Sequence, residues 1–371
     1  MIKIGDVLTV EIEHLTSNGK AVAHLENIDN SNLPYSIFVE FGVPGDILKV
    51  EVKRIKKIFI EANIVRVVKS SPNRVDPICP YFKECGACDW LNIDYDLQIK
   101  EKQNLLKFFL ERNKISLDKT KFDVIKSENP LFYRKKIRLN DGFFKKKSNQ
   151  IINVKKCYII DKKFWDFLSV KNGREVSYGI DEESQSVTTN DAFYFYNDIK
   201  FKYSPDSFVQ SNFDMNRKMI EIVSNNVSGS KVLDLYSGNG NFSIPIAMLD
   251  NITKVSSVEG SIKTYSLLLE NMSLNGVSNI DPFNSDVRDF VKRRSQYDTI
   301  ILDPPRTGSS EILPNLASMT NKIIYVSCNS ELSVKEIKIL LDKGFKLDKV
   351  FLLDLFPQTR HFESIFILTS E

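Results

Sequence analysis

The chain has 371 residues, 42% of them hydrophobic and 27% charged, which is enough for two or three domains with separate cores. Its 51 basic and 48 acidic residues leave a net charge of +3, so charge balance alone names no nucleic-acid partner. The first residues lack a basic stretch followed by an apolar one, and no run of about 18 apolar residues occurs, so a cytoplasmic protein without a membrane partner is expected.

Residues 1–69 read as five short alternating strands, "VLTVEIE", "GKAVAHL", "YSIFVEF", "DILKVEVKRI" and "IFIEANIVRVV". Turn signals at Asn18-Gly19, Asn30-Ser31 and Pro44-Gly45-Asp46 separate them. Five such strands predict a five-stranded β-barrel of the kind that often carries nucleic-acid binding. Pro72, Pro77 and Pro80 then mark a linker. Next come Cys79, Cys85 and Cys88 as C-x5-C-x2-C, with Cys157 distant in sequence. In a chain without a secretory signature, close-spaced cysteines point to metal or catalysis before disulfides. Four thiolates suit a structural zinc or an iron–sulfur cluster. The irregular spacing and remote fourth cysteine favour iron–sulfur.

"DYDLQIKEKQNLLKFFLERNK" has Asp94 or Asp96 as a cap and apolar residues at Leu97, Ile99, Leu105, Leu106, Phe108, Phe109 and Leu110, which predicts a buried helix. A β-rich stretch follows over about 123–206. Within it, residues 131–163 hold eleven basic side chains, Arg134, Lys136 and Arg138 among them, and only two acidic ones, Asp141 and Asp161. Phe132, Tyr133, Phe143, Phe144 and Tyr158 are interleaved with them. Clustered cations with aromatic rings suit a phosphate backbone and unstacked bases. A solvated lysine-rich face has the same composition.

From "KVLDLYSGNGNFSIPIA" onward, strands alternate with helical spans, which implies a parallel, doubly wound sheet. The last two strands are joined without a helix and are expected as an antiparallel pair at the sheet edge. Ligands of such sheets sit at the carboxyl ends of the strands, here Asp234–Asn241, Glu259, Asp286, Asp303–Arg306 and Cys328. Gly238 and Gly240 permit close backbone approach, and Glu259 stands 19 residues past Gly240, where a carboxylate can bond ribose hydroxyls. A dinucleotide is one candidate, but Ser243 replaces its third small residue. Acidic Asp234 suits a cation such as the sulfonium of S-adenosylmethionine, so a methyltransferase sheet is the reading preferred.

Cys328 in "YVSCN" and Glu363, 35 residues on, complete a chemistry. Carbon 5 of uracil is too weak a nucleophile to take a methyl group until a thiolate adds at carbon 6. A base must then remove the carbon-5 proton. Cys328 fits the nucleophile and Glu363 the base. His361 is a second candidate base, and a lone cysteine on a buried strand is also a common core residue.

These motifs, "CPYFKECGACDW" with Cys157, "YRKKIRL", "SFVQSN", "DLYSGNGNFSIPIA", "LDPPRTG", "VSCN" and "QTRHFES", stand in an order that resembles the RNA uracil-5-methyltransferase family over nearly the whole chain. The likeness is to its iron–sulfur, TRAM-containing members that act on 23S ribosomal RNA. The resemblance implies a multidomain α/β protein: a TRAM-like RNA-binding barrel over 1–69, a central iron–sulfur domain over 70–92 and 123–206, and a Rossmann-like class I methyltransferase domain over 93–122 and 207–371. It implies a four-iron four-sulfur cluster on Cys79, Cys85, Cys88 and Cys157, and S-adenosylmethionine held by Gln210, Tyr236, Gly238, Asn241, Glu259, Asp286 and Asp303. Cys328 is implied as nucleophile, Glu363 as base, and Phe208 and Arg134 as substrate-facing. Tyr236 and Ser237 depart from the commoner Phe and Cys. The partner expected is RNA, either 23S ribosomal RNA or the T-loop of transfer RNA, handled by a monomer. Cytosine carbon-5 methylation is disfavoured, because Arg306 lies where cytosine enzymes place a cysteine.

Overall fold

The computed structural model describes residues 2–25 and 35–370; the expected turn at Asn30-Ser31 lies outside them. The chain divides into two compact units. One comprises Met1–Leu105, Gly142–Tyr158 and Phe356–Arg360; the other comprises Leu106–Asp141, Ile159–Leu355 and His361–Glu371.

In the first unit, β1 (Val7–Glu11), β2 (His14–Leu15), β3 (Ala21–Leu25), β4 (Tyr35–Val39), β5 (Ile47–Ile55) and β6 (Phe59–Lys69) form one sheet in the order β1-β5-β6-β4-β3-β2. This corrects the expectation of a five-stranded barrel. Among the described residues there are six strands, and no pairing joins the end strands β1 and β2. The extra strand arises because the first segment changes partner: Val7–Glu11 pairs with β5, and after Ile12 and Glu13 the chain pairs with β3. Alternation on β5 turns Leu48, Val50 and Val52 inward, as a half-buried strand requires.

Helix α1 (Tyr95–Arg112) begins where Asp94 accepts the Asp96 amide at 3.0 Å. Ile99, Leu105, Leu106, Phe109 and Leu110 of the expected apolar stripe are buried, but the buried face is wider than that stripe. Gln98, Glu101 and Lys102 are buried, whereas Phe108 is 52% exposed. Glu101 accepts the Leu15 amide at 2.8 Å, so the polar residues serve hydrogen bonds that apolar ones could not make.

Then come β7 (Lys121–Ile125) and β8 (Lys136–Asn140), followed by the ribbon β9 (Phe143–Phe144) and β10 (Ile151–Ile152) of the first unit. The stretch β11 (Glu175–Asp181), β12 (Ser186–Thr188), β13 (Ala192–Tyr196) and β14 (Ile199–Tyr203) is β-structure throughout, with β12-β11-β8 and β13-β14 as two small antiparallel sheets.

The alternation that follows is the doubly wound part: α2 (Phe213–Asn226), β15 (Lys231–Leu235), α3 (Ser243–Ala247), β16 (Lys254–Glu259), α4 (Ile262–Leu274), β17 (Ile280–Asn284), α5 (Val287–Phe290), β18 (Thr299–Leu302), α6 (Leu313–Leu316), β19 (Lys322–Ser327), α7 (Ser330–Leu341), β20 (Lys346–Leu353) and β21 (Glu363–Thr369). The eight-stranded sheet runs β17-β16-β15-β18-β19-β21-β20-β7. β15 to β19 are parallel neighbours, and β21 inserts antiparallel between β19 and β20. The antiparallel pair is as expected, but it is not the edge: β7 lies outside it, parallel to β20. Strand order reverses at β15/β18, the crevice where such sheets take ligands.

Candidate active site

The carboxyl ends of β15, β16, β18 and β19 carry the residues singled out in the sequence. Asp234, the fourth residue of β15, is fully buried. Ser243 donates to its Oδ2, and Ser257 donates to Ser243 at 2.6 Å. Burial, with Asp303 nearby, pushes its carboxyl up to about 7, and Oδ1 has no partner. Asp234 therefore lies beneath the turn and not on its open surface.

The two glycines of the turn differ in purpose. Both have left-handed backbone, φ 57° at Gly238 and 91° at Gly240. A Cβ on Gly238 would meet nothing within 4 Å, so open space adjoins the backbone there. A Cβ on Gly240 would come within 2.8 Å of Ile244 and Leu268, so this glycine closes the turn onto helices α3 and α4. Tyr236, also left-handed at φ 63°, is half-buried, and burial beside Asp286 pushes its phenol up to about 12.

Glu259 ends β16, and each of its oxygens takes one backbone N–H: Gly238 at 2.9 Å and Ser261 at 2.6 Å. A carboxylate still has lone pairs for ligand hydroxyls. Asp286 caps α5 and is chelated by Arg288 through Nε at 3.0 Å and Nη2 at 2.8 Å, a pairing that holds its carboxyl down at about 2. Asn241 is turned inward: its Oδ1 accepts from Tyr194 at 3.0 Å and from Asn216 at 2.8 Å, while its Nδ2 donates to Asn216 at 3.0 Å. Gln210 is buried ahead of α2. The open cradle at Gly238, the carboxylate of Glu259 and the unpartnered buried hydroxyl of Ser237 fit an adenosyl ligand bearing hydroxyls.

The reactive pair follows from strand register. Ser327 on β19 pairs with Ser364 on antiparallel β21, so the next residues outward, Cys328 and Glu363, face one another on the same side of the sheet. Cys328 is partly accessible; Glu363 is 2% exposed. Burial pushes the Cys328 thiol up to about 11, with Glu363 and Asp303 adding to it. Burial also raises Glu363 well above its ordinary range, with Asp303 adding. Asp303, just after β18, is pushed up to about 7 by the atoms packed around it, although its surface remains partly accessible. The group opposing these shifts is Arg306, which hydrogen-bonds the Cys328 thiol and favours the charged forms of both Cys328 and Glu363.

Sequence reading gave Arg306 no chemical part and missed Glu336 altogether. Glu336 is buried on α7. It accepts the Tyr325 hydroxyl and the Ser309 amide, the latter at 2.6 Å, and so pins the far end of the loop carrying Asp303 and Arg306. The available signal was a glutamate among Ser333, Val334, Ile337 and Leu340 on the buried stripe of an amphipathic helix.

Of the substrate-facing candidates, Phe208 is 73% exposed in the segment between β14 and α2, and Lys136 donates to the carbonyl of its neighbour Ser207. Arg134 bridges to Asn212 and to Ile160, and its Nε is buried without a partner. The basic stretch is partly neutralised: Lys135 pairs with Asp161 at 2.7 Å, and Lys146 and Lys147 pair with Glu40.

In the first unit, Cys85 lies near Cys157 and Cys79. Burial pushes its thiol up to about 11, and both neighbours add to the shift. Backbone N–H groups of Tyr81 and Phe82 donate to the Cys79 sulfur, and that of Ala87 to the Cys85 sulfur, which favours their thiolates. Cys88 is half-buried and Cys157 buried. Among the described residues, no three His, Cys, Asp or Glu side chains are close enough to hold a single metal ion. No described helix is long and apolar enough to cross a membrane.

The family model described as tRNA (uracil-5-)-methyltransferase matches residues 166–371, and that of the TRAM domain matches residues 3–65. The 23S rRNA (uracil(1939)-C(5))-methyltransferase RlmD of Vibrio parahaemolyticus is 28% identical over 96% of this chain and 94% of that protein. The protein of the same name from Marinomonas sp. is 26% identical, covering 98% and 95%. Pyrococcus abyssi tRNA (uracil-54, C5)-methyltransferase, solved with S-adenosyl-L-homocysteine, shares the fold, with a TM-score of 0.75 over 98% of this chain and 100% of that one at 22% identity. The chain thus carries a TRAM domain and belongs to the tRNA (uracil-5-)-methyltransferase family, enzymes that move a methyl group from S-adenosylmethionine to carbon 5 of uracil in RNA.

Proposed function

We propose that this protein methylates carbon 5 of a uridine in 23S ribosomal RNA through a covalent adduct on Cys328, with Glu363 as the base. The observation that carries the reading is the β19–β21 register, which sets Cys328 opposite Glu363 with Asp303 and Arg306 beside them. Phe208 offers an exposed ring on which a base turned out of its stack can lie.

The steps balance as follows. The Cys328 thiolate bonds carbon 6, and the carbon 5–carbon 6 π electrons move to carbon 5 and the carbon-4 carbonyl. Tyr236, Gly238, Glu259 and Asp286 would hold S-adenosylmethionine, which would supply an electrophilic methyl group; carbon 5 bonds the methyl carbon as its bond to sulfur breaks, and S-adenosyl-L-homocysteine is the leaving group. Glu363 then accepts the carbon-5 proton, the double bond reforms, and the thiolate leaves carbon 6. Arg306 favours the thiolate of Cys328 and the carboxylate of Glu363, the two charged forms the cycle needs and burial opposes. As the carboxylate, Asp303 can accept a hydrogen bond from the N3–H of the uracil ring.

For the cysteines, the reading is a four-iron four-sulfur cluster on Cys79, Cys85, Cys88 and Cys157. Four thiolates on one zinc at about 2.3 Å would crowd to within roughly 3.8 Å of one another. A cluster bridges thiolates set farther apart, and the backbone N–H groups aimed at the Cys79 and Cys85 sulfurs would favour the thiolates it needs. Iron and acid-labile sulfide in protein purified without oxygen test this; one zinc per chain and no iron refute it. Near-full-length likeness to enzymes named for 23S ribosomal RNA favours that substrate over transfer RNA. Tritium release from carbon-5-tritiated uridine in unmodified 23S ribosomal RNA, and in transfer RNA, decides. Release from 23S alone is expected; release from transfer RNA alone overturns the substrate, and release from neither overturns the chemistry.

A further inference from the structure

Between β20 and β21 the chain does not turn directly. Its middle, Phe356–Arg360, belongs to the unit that holds the cysteines, and from Arg360 the chain needs only His361 and Phe362 to reach Glu363. Within that unit the strap is fastened at Phe356, Gln358 and Arg360. The Gln358 carbonyl accepts both the Asp89 and Trp90 amides at 3.1 Å. Gln98, buried on α1, donates to the Gln358 side chain at 2.9 Å and accepts the Gln358 amide at 3.0 Å. The same Gln98 nitrogen lies 2.9 Å from the Ile93 carbonyl and 3.2 Å from that of Trp90, so its two N–H groups are shared among three acceptors and tie both segments to one side chain. Buried Lys102 donates to the Phe356 carbonyl at 3.2 Å. Arg360 donates to Asp89 Oδ2 at 3.0 Å, and Lys146 stands 3.8 Å from Oδ1. Gln358 is held at φ 67°, a backbone conformation that non-glycine residues keep only where surroundings impose it.

We propose that Asp89, acting with Gln98 on Gln358 and Arg360, is a positioning residue for Glu363: the segment that follows Cys88 fixes where the base-bearing strand begins. The inference rests on the reading of Glu363 as base. The polar side chains buried on α1 beside its apolar stripe then have a purpose beyond packing. A base misplaced by about 1 Å can lose up to 100-fold in rate. Because Cys328 sits on a different strand, loosening the strap slows proton removal and leaves thiolate addition intact. The methylated Cys328–RNA adduct accumulates as a result.

The test uses full-length protein purified without oxygen, labelled unmodified 23S ribosomal RNA and S-adenosylmethionine. It measures the denaturant-stable protein–RNA adduct and tritium release from carbon 5. Glu363→Gln is the reference for a stalled base. Asp89→Ala and Arg360→Met are expected to hold at least roughly tenfold more adduct than the parent while tritium release falls roughly 10- to 100-fold. The KM for S-adenosylmethionine stays unchanged, and Arg360→Lys recovers most of the release. Arg360 is a third exposed, so its variants keep the test alive if Asp89→Ala does not fold. If Glu363→Gln stalls with adduct but the strap variants release tritium at the parent rate, or lose adduct and release together, the positioning role is wrong. A Glu363→Gln enzyme that turns over normally removes the base reading, and the strap's role with it.

Discussion

Two sets of carboxyl groups, one in each unit, are driven in opposite directions, although Asp286 of the second unit, paired with Arg288, follows the first. In the strand-rich unit, Glu61 is held below its ordinary value by the hydrogen bond from Lys20, and Glu40 falls below it despite burial because Lys147 and Lys146 reach it. At the carboxyl ends of the catalytic sheet, Asp234, Asp303 and Glu363 are all pushed up, first by burial and without a lysine at hand. A paired surface carboxylate contributes modest stability and no reactivity. A buried one with a single shared arginine is poised to gain or lose a proton, and that is the property a catalytic acid or base needs. The difference lies in the neighbours, since the residue types are the same.

The comparison breaks most visibly at Cys328. Replacing it by Ala should cut tritium release at least about a thousandfold, with S-adenosyl-L-homocysteine affinity by calorimetry unchanged. Residual turnover at a tenth of the parent rate would place the chemistry elsewhere. Next is the buried carboxylate that supports the loop: Glu336→Ala leaves the Tyr325 hydroxyl and the Ser309 amide without an acceptor, and denaturant unfolding should register a loss of roughly 2–4 kcal/mol.

Arg306 sharpens the comparison by pH. With the Cys328 thiol at about 11, its alkylation by iodoacetamide should climb with a slope near one per pH unit from pH 7 to 10. In Arg306→Met the midpoint moves higher still, because the charge that favours the thiolate is gone. A midpoint that moves down contradicts the assignment. The two turn glycines separate folding from binding. Gly240→Ala should cost roughly 1–3 kcal/mol of stability by overpacking against Ile244 and Leu268. Gly238→Ala should cost only about 1 kcal/mol, for its left-handed backbone, but weaken cofactor binding, read by calorimetry.

The smallest effect lies in the other unit. Lys20→Met removes the partner of Glu61 at the surface and should cost below about 1 kcal/mol, less at high salt. Since folding lowers the Glu61 pKa, this increment is present above the ordinary value of 4.5 and is lost as pH falls through the folded value.

Much of this was legible before any coordinates. The alternation after Lys231 gave the parallel sheet, and the helix-free last connection gave the antiparallel pair, because both signals are local in sequence. What failed was non-local. β7 at Lys121–Ile125 is five residues long and finds β20 more than two hundred residues on, a pairing that no periodicity announces. β2 is two residues long and exists because the first segment changes partner. On α1, apolar positions predicted the helix and Ile99, Leu105, Leu106, Phe109 and Leu110 are indeed buried, but Phe108 is exposed and Gln98, Glu101 and Lys102 are buried with them. Their partners come from Leu15, Trp90 and the 356–360 segment, and a helical wheel does not contain them. At the site, the sequence singled out Cys328 and Glu363 from the chemistry expected of them, and the β19–β21 register sets them opposite one another. Arg306 and Glu336 act through other residues, so their importance emerged only from what they touch.

The insertion of β21 between β19 and β20 also bears on how the chain folds as it is made. Both flanking strands leave the ribosome first and must wait with a vacant slot between them, each presenting an unpaired edge. Until β21 arrives, Cys328 has no Glu363 opposite it, so a nascent chain carries the thiol of the pair without its carboxyl partner. Those open edges also make the waiting state the one most exposed to wrong strand pairing and aggregation.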